Sequence, residues 1–290
     1  MARADGKRVK NLPYFDALIP HIMDKRTDST NYVKDEFDIT ELSAYIRQLR
    51  NQGVKIGIMD FMMTCIAQTI LDYPVLSRFI ANKKVYMRNY NAISLTVLKR
   101  ADKTDIKETV IKIYFEPGDD LFSITKKIEE SVAVNTQEDT QNRMDKFIDK
   151  IMGMPLIPGM LVWLLKFADR HGFLPKSIVN LSPFHTTVFV SNMGSINMSY
   201  VYHHLYEFGT TSLFMTMGKP KRVAFPDGKT HRIMPVSFSI DERICPGAGF
   251  AKCLADLKKY MEHPEALQKA MTGGKEPAAE EQDIEQMVVV

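Results

Sequence analysis

The sequence predicts an αβ domain spanning residues 12–270, and three observations support this. Stretches with apolar residues at helical spacing share the chain with runs rich in β-formers. One helical stretch is apolar nearly all round, as a helix deep in a core must be. No internal repeat and no Pro/Gly linker breaks the span, and at 290 residues a chain can bury roughly three-quarters of its extended surface.

Residues 38–53 have the pattern of an amphipathic helix. Leu42, Tyr45, Ile46 and Leu49 share one face, Asp38 and Glu41 form a capping pair, and Gly53 offers a left-handed stop. Residues 59–72 form the all-round apolar helix, with Phe61, Met62, Cys65, Ile66 and Ile70, ended before Pro74; its methionines read as packing material. Residues 85–90, 92–98 and 108–115 read as strands. Asp119 and Asp120 then open a helix with Leu121, Ile124 and Ile128 on one face. A further helix is expected at 139–152. Residues 186–191 and 211–217 read as buried strands, and the Pro226-Asp227-Gly228-Lys229 turn pairs 221–225 with 230–240 as a hairpin. Phe250, Leu254, Leu257 and Met261 repeat at helical spacing until Pro264. Residues 1–11 are expected to be a flexible basic N-terminus, and 271–290, with five acidic side chains, a disordered acidic tail.

Composition excludes several classes of function. Lys and Arg total 38 against 35 Asp and Glu, a formal charge of +3, without the strongly basic stripe that nucleic acid demands. Cys65, Cys245 and Cys253 form no C-x-x-C pair and have no histidine at zinc spacing. Neither a disulfide framework nor a metal site is expected. No apolar signal core follows Arg3, Lys7, Arg8 and Lys10, so the expected compartment is the cytoplasm. The longest apolar run, 151–165, is broken by Pro155 and Pro158 and falls short of the about 20 residues a spanning helix needs. It reads as a buried core hairpin, with a surface touching lipid or a long acyl chain as the alternative.

The most informative stretch is Ser239-Ile240-Asp241-Glu242-Arg243-Ile244-Cys245-Pro246-Gly247-Ala248, a strand end followed by a helix. It resembles the signature of the dihydrolipoyl acyltransferases, the core components of 2-oxo acid dehydrogenase complexes: Asp-His-Arg-x-x-Asp(or Asn)-Gly-Ala before an amphipathic helix. Chloramphenicol acetyltransferase is a relative, with His-His-x-x-x-Asp-Gly at the same place. Upstream, Phe189-Val190-Ser191-Asn192-Met193-Gly194 resembles the family's Phe-Thr-Ile-Ser-Asn-Leu-Gly strand end, and Asp60-Phe61 through Tyr73-Pro74 its Asn-Asp-Phe helix. The likeness covers about residues 12–268. It implies a two-layer α+β sandwich with a mixed β-sheet and flanking helices, the CoA-dependent acyltransferase fold. It also implies CoA or acyl-CoA as substrate, and a homotrimer with sites between subunits, assembled in some relatives into larger cages.

The same comparison assigns roles residue by residue. Ser191 matches the hydroxyl that stabilises the tetrahedral oxyanion; its other reading is a strand-end turn serine. Asp241 and Arg243 match a structural ion pair, and Pro246 and Gly247 complete the motif. Glu242 stands where the family has the histidine that takes a proton from a thiol. A thiol sits about two pKa units above a free His and about four above a free Glu, so the transfer is roughly 3 kcal/mol harder. Pro246 replaces the motif's Asp or Asn and brings neither a hydrogen-bonding side chain nor an N–H. The His203-His204-Leu205-Tyr206-Glu207-Phe208-Gly209 stretch copies the relative's double histidine but precedes no helix; it reads as a pair of loop histidines, with His204 as a spare base. No lipoyl or subunit-binding domain precedes residue 12, so the acyl donor is expected to diffuse in or arrive on an acyl-carrying protein or other complex subunit. Two readings follow: an acyltransferase with Glu242 as altered base, or a catalytically silent scaffold or partner subunit.

Overall fold

Two β-sheets of unequal size organise the chain, which the computed structural model describes over residues 3–100, 106–136, 157–226 and 228–272. In chain order the elements are β1 (Gly6–Arg8), α1 (Tyr14–Ile22), α2 (Arg26–Ser29), β2 (Thr30–Asp38), α3 (Thr40–Asn51) and α4 (Ile58–Asp72). Then come β3 (Arg78–Ala81), β4 (Lys84–Arg88), β5 (Asn91–Arg100), β6 (Ile106–Phe115), α5 (Leu121–Thr136), α6 (Ile157–His171) and α7 (Lys176–Leu181). The last are β7 (Val188–Asn192), β8 (Leu213–Met217), β9 (Lys221–Ala224), β10 (Thr230–Asp241), α8 (Gly247–Glu262) and α9 (Pro264–Thr272).

The large sheet runs β2-β10-β8-β7-β5-β6, with β9 hairpinned onto β10. It is mixed: β7 lies parallel to β5 and β8, and the other pairs are antiparallel. Period-2 alternation gives each strand two faces. Ile93, Val190, Met215, Met217, Val236 and Phe238 turn to one side, where α4, α5 and α8 cover them in the main core. The helix α4 is buried nearly all round, as its composition demands, and Gly53 takes a left-handed φ of 87° after α3. The opposite face carries Ser94, Phe189, Phe214, Thr216, Ser237 and Ser239, all buried. An irregular strap over 198–212 lies across it. Ser237 Oγ donates to Val201 O at 2.6 Å, Thr216 Oγ1 to the same carbonyl at 2.9 Å, and Ser239 Oγ to His203 O.

Two expectations are corrected, and one strand went unread. Within the segment expected to be a flexible basic N-terminus, β1 pairs with β4 in the small β1-β4-β3 sheet, and Arg3 and Asp5 are buried in an ion pair. The nine-residue β2 was not read from the sequence, because as an edge strand it buries only Phe37 and so lacks an alternating pattern. Of the 151–165 run read as a buried hairpin, 151–156 lie outside the described residues, and 157–165 form most of α6, whose side chains largely face solvent. Asp38 and Glu41 do not close a reciprocal cap: Asp38 Oδ1 accepts from Thr40 N at 3.0 Å, while Glu41 turns to His263. The helix expected at 139–152 lies outside the described residues, as does the tail from 273; Met271 and Thr272 belong to α9.

Candidate functional site

Strand register separates the two principal candidates. Ser191 on β7 pairs with Thr216 on β8, which pairs with Ser237 on β10. Glu242 follows the C-terminal end of β10, five residues beyond Ser237. At about 3.3 Å per residue this is roughly 16 Å along the sheet, before two strand spacings are added. Ser191 and Glu242 therefore stand toward opposite ends of the sheet and cannot act on one carbonyl within a single chain.

The Ser191 end is built by close backbone approach. Gly194 could not carry a side chain without crowding Gly218 O, 3.1 Å from its notional Cβ. A Cβ on Gly218 would stand 2.8 Å from Pro235 and from the backbone of Ser199 and Tyr200. Half-buried Ser191 has its hydroxyl 3.5 Å from Met193 Sδ, a weak acceptor, so the donor is available to a better one.

The Glu242 end is built by charge. Arg243 donates Nε and a terminal nitrogen to the two oxygens of Asp241, both at 2.8 Å, a bidentate fork with both side chains buried. Ser29 Oγ donates to Asp241 Oδ1 at 3.1 Å, and Arg243 reaches Met23 O at 2.9 Å. This ties the end of β10 to the chain around α2. Glu242 is half-buried; its N–H donates to Ser29 O at 2.9 Å, and Asn31 Nδ2 donates to its Oε2 at 2.6 Å. Pro246 is the residue before α8, at φ −59° and ψ 151°. Gly247 is exposed with open space around it. The glycine that sterics require here is Gly249, where a Cβ would stand 2.5 Å from Cys245 Sγ.

Asn31, Ser29 and Gly249 escaped the sequence reading. Asn31 and Ser29 are over 200 positions from the motif they hold, and only the β2–β10 register brings them to it. His204 is exposed and stacks on His203 at 4.6 Å, while His203 lies parallel over Phe214 at 3.9 Å. Burial pushes the His203 imidazole below its ordinary pKa, and the charge of His204 adds to this, against a hydrogen bond to His204 O that raises it. No helix follows the pair, which lies in the strap.

Two groups among the described residues could bring three metal-ligating atoms together: buried Asp5, Asp169 and His185, and exposed Glu41, His263 and Glu265. In the first, Arg3 already bonds both carboxylates. The main core beside the β10 end holds a cavity of about 40 Å³ lined by Val188, Leu213, Ile240 and Phe250, room for little more than a methyl group.

Residues 184–268, a stretch containing Ser191, His204 and Asp241 through Gly247, match the family model of the 2-oxoacid dehydrogenases acyltransferase (catalytic domain). No curated protein sequence matches the chain. Among solved structures, the cubic core of the pyruvate dehydrogenase multienzyme complex is 16% identical, with a TM-score of 0.55 over 90% of this chain and 94% of that one. The truncated catalytic core of the 2-oxoacid dehydrogenase multienzyme complex from Thermoplasma acidophilum is 17% identical, with a TM-score of 0.55 over 89% and 99%. Chloramphenicol acetyltransferase is 8% identical, with a TM-score of 0.54 over 88% and 99%. The fold is thus of the chloramphenicol acetyltransferase type, a mixed sheet with flanking helices, and the resemblance read from the motifs holds.

Proposed function

We propose that this chain transfers an acyl group between CoA and a thiol acceptor at a site shared by two copies, Ser191 coming from one and Glu242 from the other. The observation that carries this is the Glu242 end of β10. The Asp241–Arg243 fork is buried, and the Glu242 carboxylate, held by Asn31, stands where the motif resemblance puts the base. The separation of Ser191 and Glu242 within one subunit supports a homotrimer with sites between subunits, and the larger cage remains the form of the pyruvate dehydrogenase core. The acyl donor is free acyl-CoA or a thioester on a carrier protein or complex subunit.

In this reading Glu242 takes the proton of the acceptor thiol, and the thiolate sulfur attacks the thioester carbonyl. The Ser191 hydroxyl of the neighbouring copy donates to the oxyanion that forms. Collapse of the tetrahedral species expels the first thiolate, which recovers the proton from Glu242. A carboxylate accepts a thiol proton about 3 kcal/mol less readily than an imidazole, so the expected reaction is slow.

A second reading, a silent scaffold or partner subunit, is favoured by Pro246, which offers no side-chain hydrogen bond where the family has Asp or Asn. One experiment separates the two. Acyl exchange between acetyl-CoA and dihydrolipoamide is measured for the wild type, Glu242→Ala and Glu242→His, alongside thermal unfolding with and without CoA. The acyltransferase reading expects stabilisation by CoA of a few degrees, turnover abolished in Glu242→Ala and raised in Glu242→His. Equal rates in all three, with no thermal shift, would leave the scaffold.

A further inference from the structure

The helix α6 faces the wrong way for a core element. Asp169 on its inner side is buried, and Leu161 and Leu165 are half-buried. Met160, Trp163, Leu164 and Phe167 follow one another at i, i+3, i+4 and i+7, so they form one stripe. That stripe faces solvent: Met160 is 65% exposed, Trp163 64% and Leu164 53%. Trp163 stacks on Phe167 at 5.7 Å, and Phe167 on His171 at 4.2 Å, so aromatic rings continue the apolar surface toward exposed Phe173.

Among the described residues of α6, α7 and the turns beside them, the exposed ionic side chains have a single sign. Between residues 157 and 185 the exposed ionic side chains are Lys166, Arg170 and Lys176. The single acid of that stretch, Asp169, is consumed inside by Arg3, His185 and the Gly209 N–H. Nearby Asp24 is paired with Lys83 at 2.6 Å. We propose that α6 docks the protein on an anionic lipid surface, its aromatic stripe entering the boundary between headgroups and acyl chains while Lys166 and Arg170 meet lipid phosphates. An apolar face bordered by cations and carrying tryptophan is what such an interfacial helix requires. Among the described residues no helix is long and apolar enough to cross a membrane, so the contact is peripheral. A twofold contact between copies through the same stripe is disfavoured, because it would set Lys166 and Arg170 against their own symmetry mates. The inference stands independently of acyl transfer.

The chain carries its own reporter, since Trp163 is its only tryptophan. The 290-residue chain is mixed with phosphatidylcholine vesicles with and without phosphatidylglycerol, and both Trp163 emission and co-sedimentation are followed. The expected result is a blue shift and sedimentation with the anionic vesicles, both weakened by salt. Reversing two cations in Lys166→Glu/Arg170→Glu should weaken vesicle binding by about tenfold or more. Leu164→Asp should remove it, with circular dichroism unchanged because the side chain is exposed. Equal behaviour toward neutral and anionic vesicles, or no response to either, overturns the proposal. So does Trp163 emission already blue-shifted without lipid, together with a native mass that falls in Leu164→Asp, which would mean that the stripe is covered by a second copy.

Discussion

Asn31 and Glu242 meet just past the end of the β2–β10 ladder, and in the acyl transfer proposed above that contact would set how Glu242 works as a base. The amide fixes Oε2 from 2.6 Å, which leaves Oε1 as the oxygen that can take a proton. Asn31 is exposed and Glu242 half-buried, so the bond adds little to stability and its effect is on orientation. The frame behind them is different in kind: the Asp241–Arg243 fork is buried, and losing either partner would strand a charge in the core. Asn31→Ala should therefore lower kcat for acyl exchange by about tenfold, with KM for CoA and the melting temperature unchanged. Steady-state kinetics and a thermal scan check this, and an unaltered kcat would remove Asn31 from the mechanism. The motif that marks this end, Asp241 through Gly247, was legible in the sequence because its residues are contiguous. The residue that aims the carboxylate was not, because it acts from 211 positions away.

Between the strands and the outer surface, the strap over 198–212 shows what a pattern of alternation leaves unsaid. Val236, Phe238 and Ile240 face the main core from β10, and simple alternation would leave the intervening Ser237 and Ser239 on a wet side. They are buried instead, because their hydroxyls satisfy strap carbonyls that have no strand to pair with. Thr216 and Ser237 both bond Val201 O and lie 2.8 Å from each other, so one carbonyl is held from two strands. Thr216→Val/Ser237→Ala should cost about 1–3 kcal/mol and raise amide exchange through the strap, while β8 and β10 stay protected. Exchange measured by mass spectrometry tests it, and an equally protected strap would mean that packing of Leu205 and His203 on Phe214 suffices. The same period-2 and 3.6 patterns located α3, α4, α5, α8 and most strands, since each buries one face or all of itself. They missed β2, which buries only Phe37, and they misled at α6, whose apolar stripe faces solvent rather than the core.

The two sheets are joined through a buried polar network centred on Asp169. Arg3 donates to Asp5 at 2.8 Å and to Asp169 at 2.9 Å, His185 Nε2 lies 3.1 Å from Asp169, and the Gly209 N–H reaches the other Asp169 oxygen at 2.9 Å. Arg88 on β4 closes the circuit onto Thr210 O at 2.7 Å. Gly172 at φ 78° makes room for Arg3, whose Cγ would stand 2.7 Å from any Cβ there. The network ties the N-terminus, β4, the end of α6, the approach to β7 and the strap together. Burial alone would raise the Asp169 carboxyl; the hydrogen bond and charge of His185, joined by Arg3, outweigh it and hold the group at about 2. Because the folded value lies below the unfolded 3.8, the stabilisation is complete above about pH 4 and is lost as pH falls through about 2. It is worth about 2 kcal/mol at neutral pH. Denaturant unfolding of wild type and Asp169→Asn should thus differ by at least about 2 kcal/mol near neutrality, the gap closing between pH 4 and pH 2. A gap that stays constant over that window would mean that Asp169 contributes through packing and neutral hydrogen bonds alone, and that its charge does not hold the two sheets together.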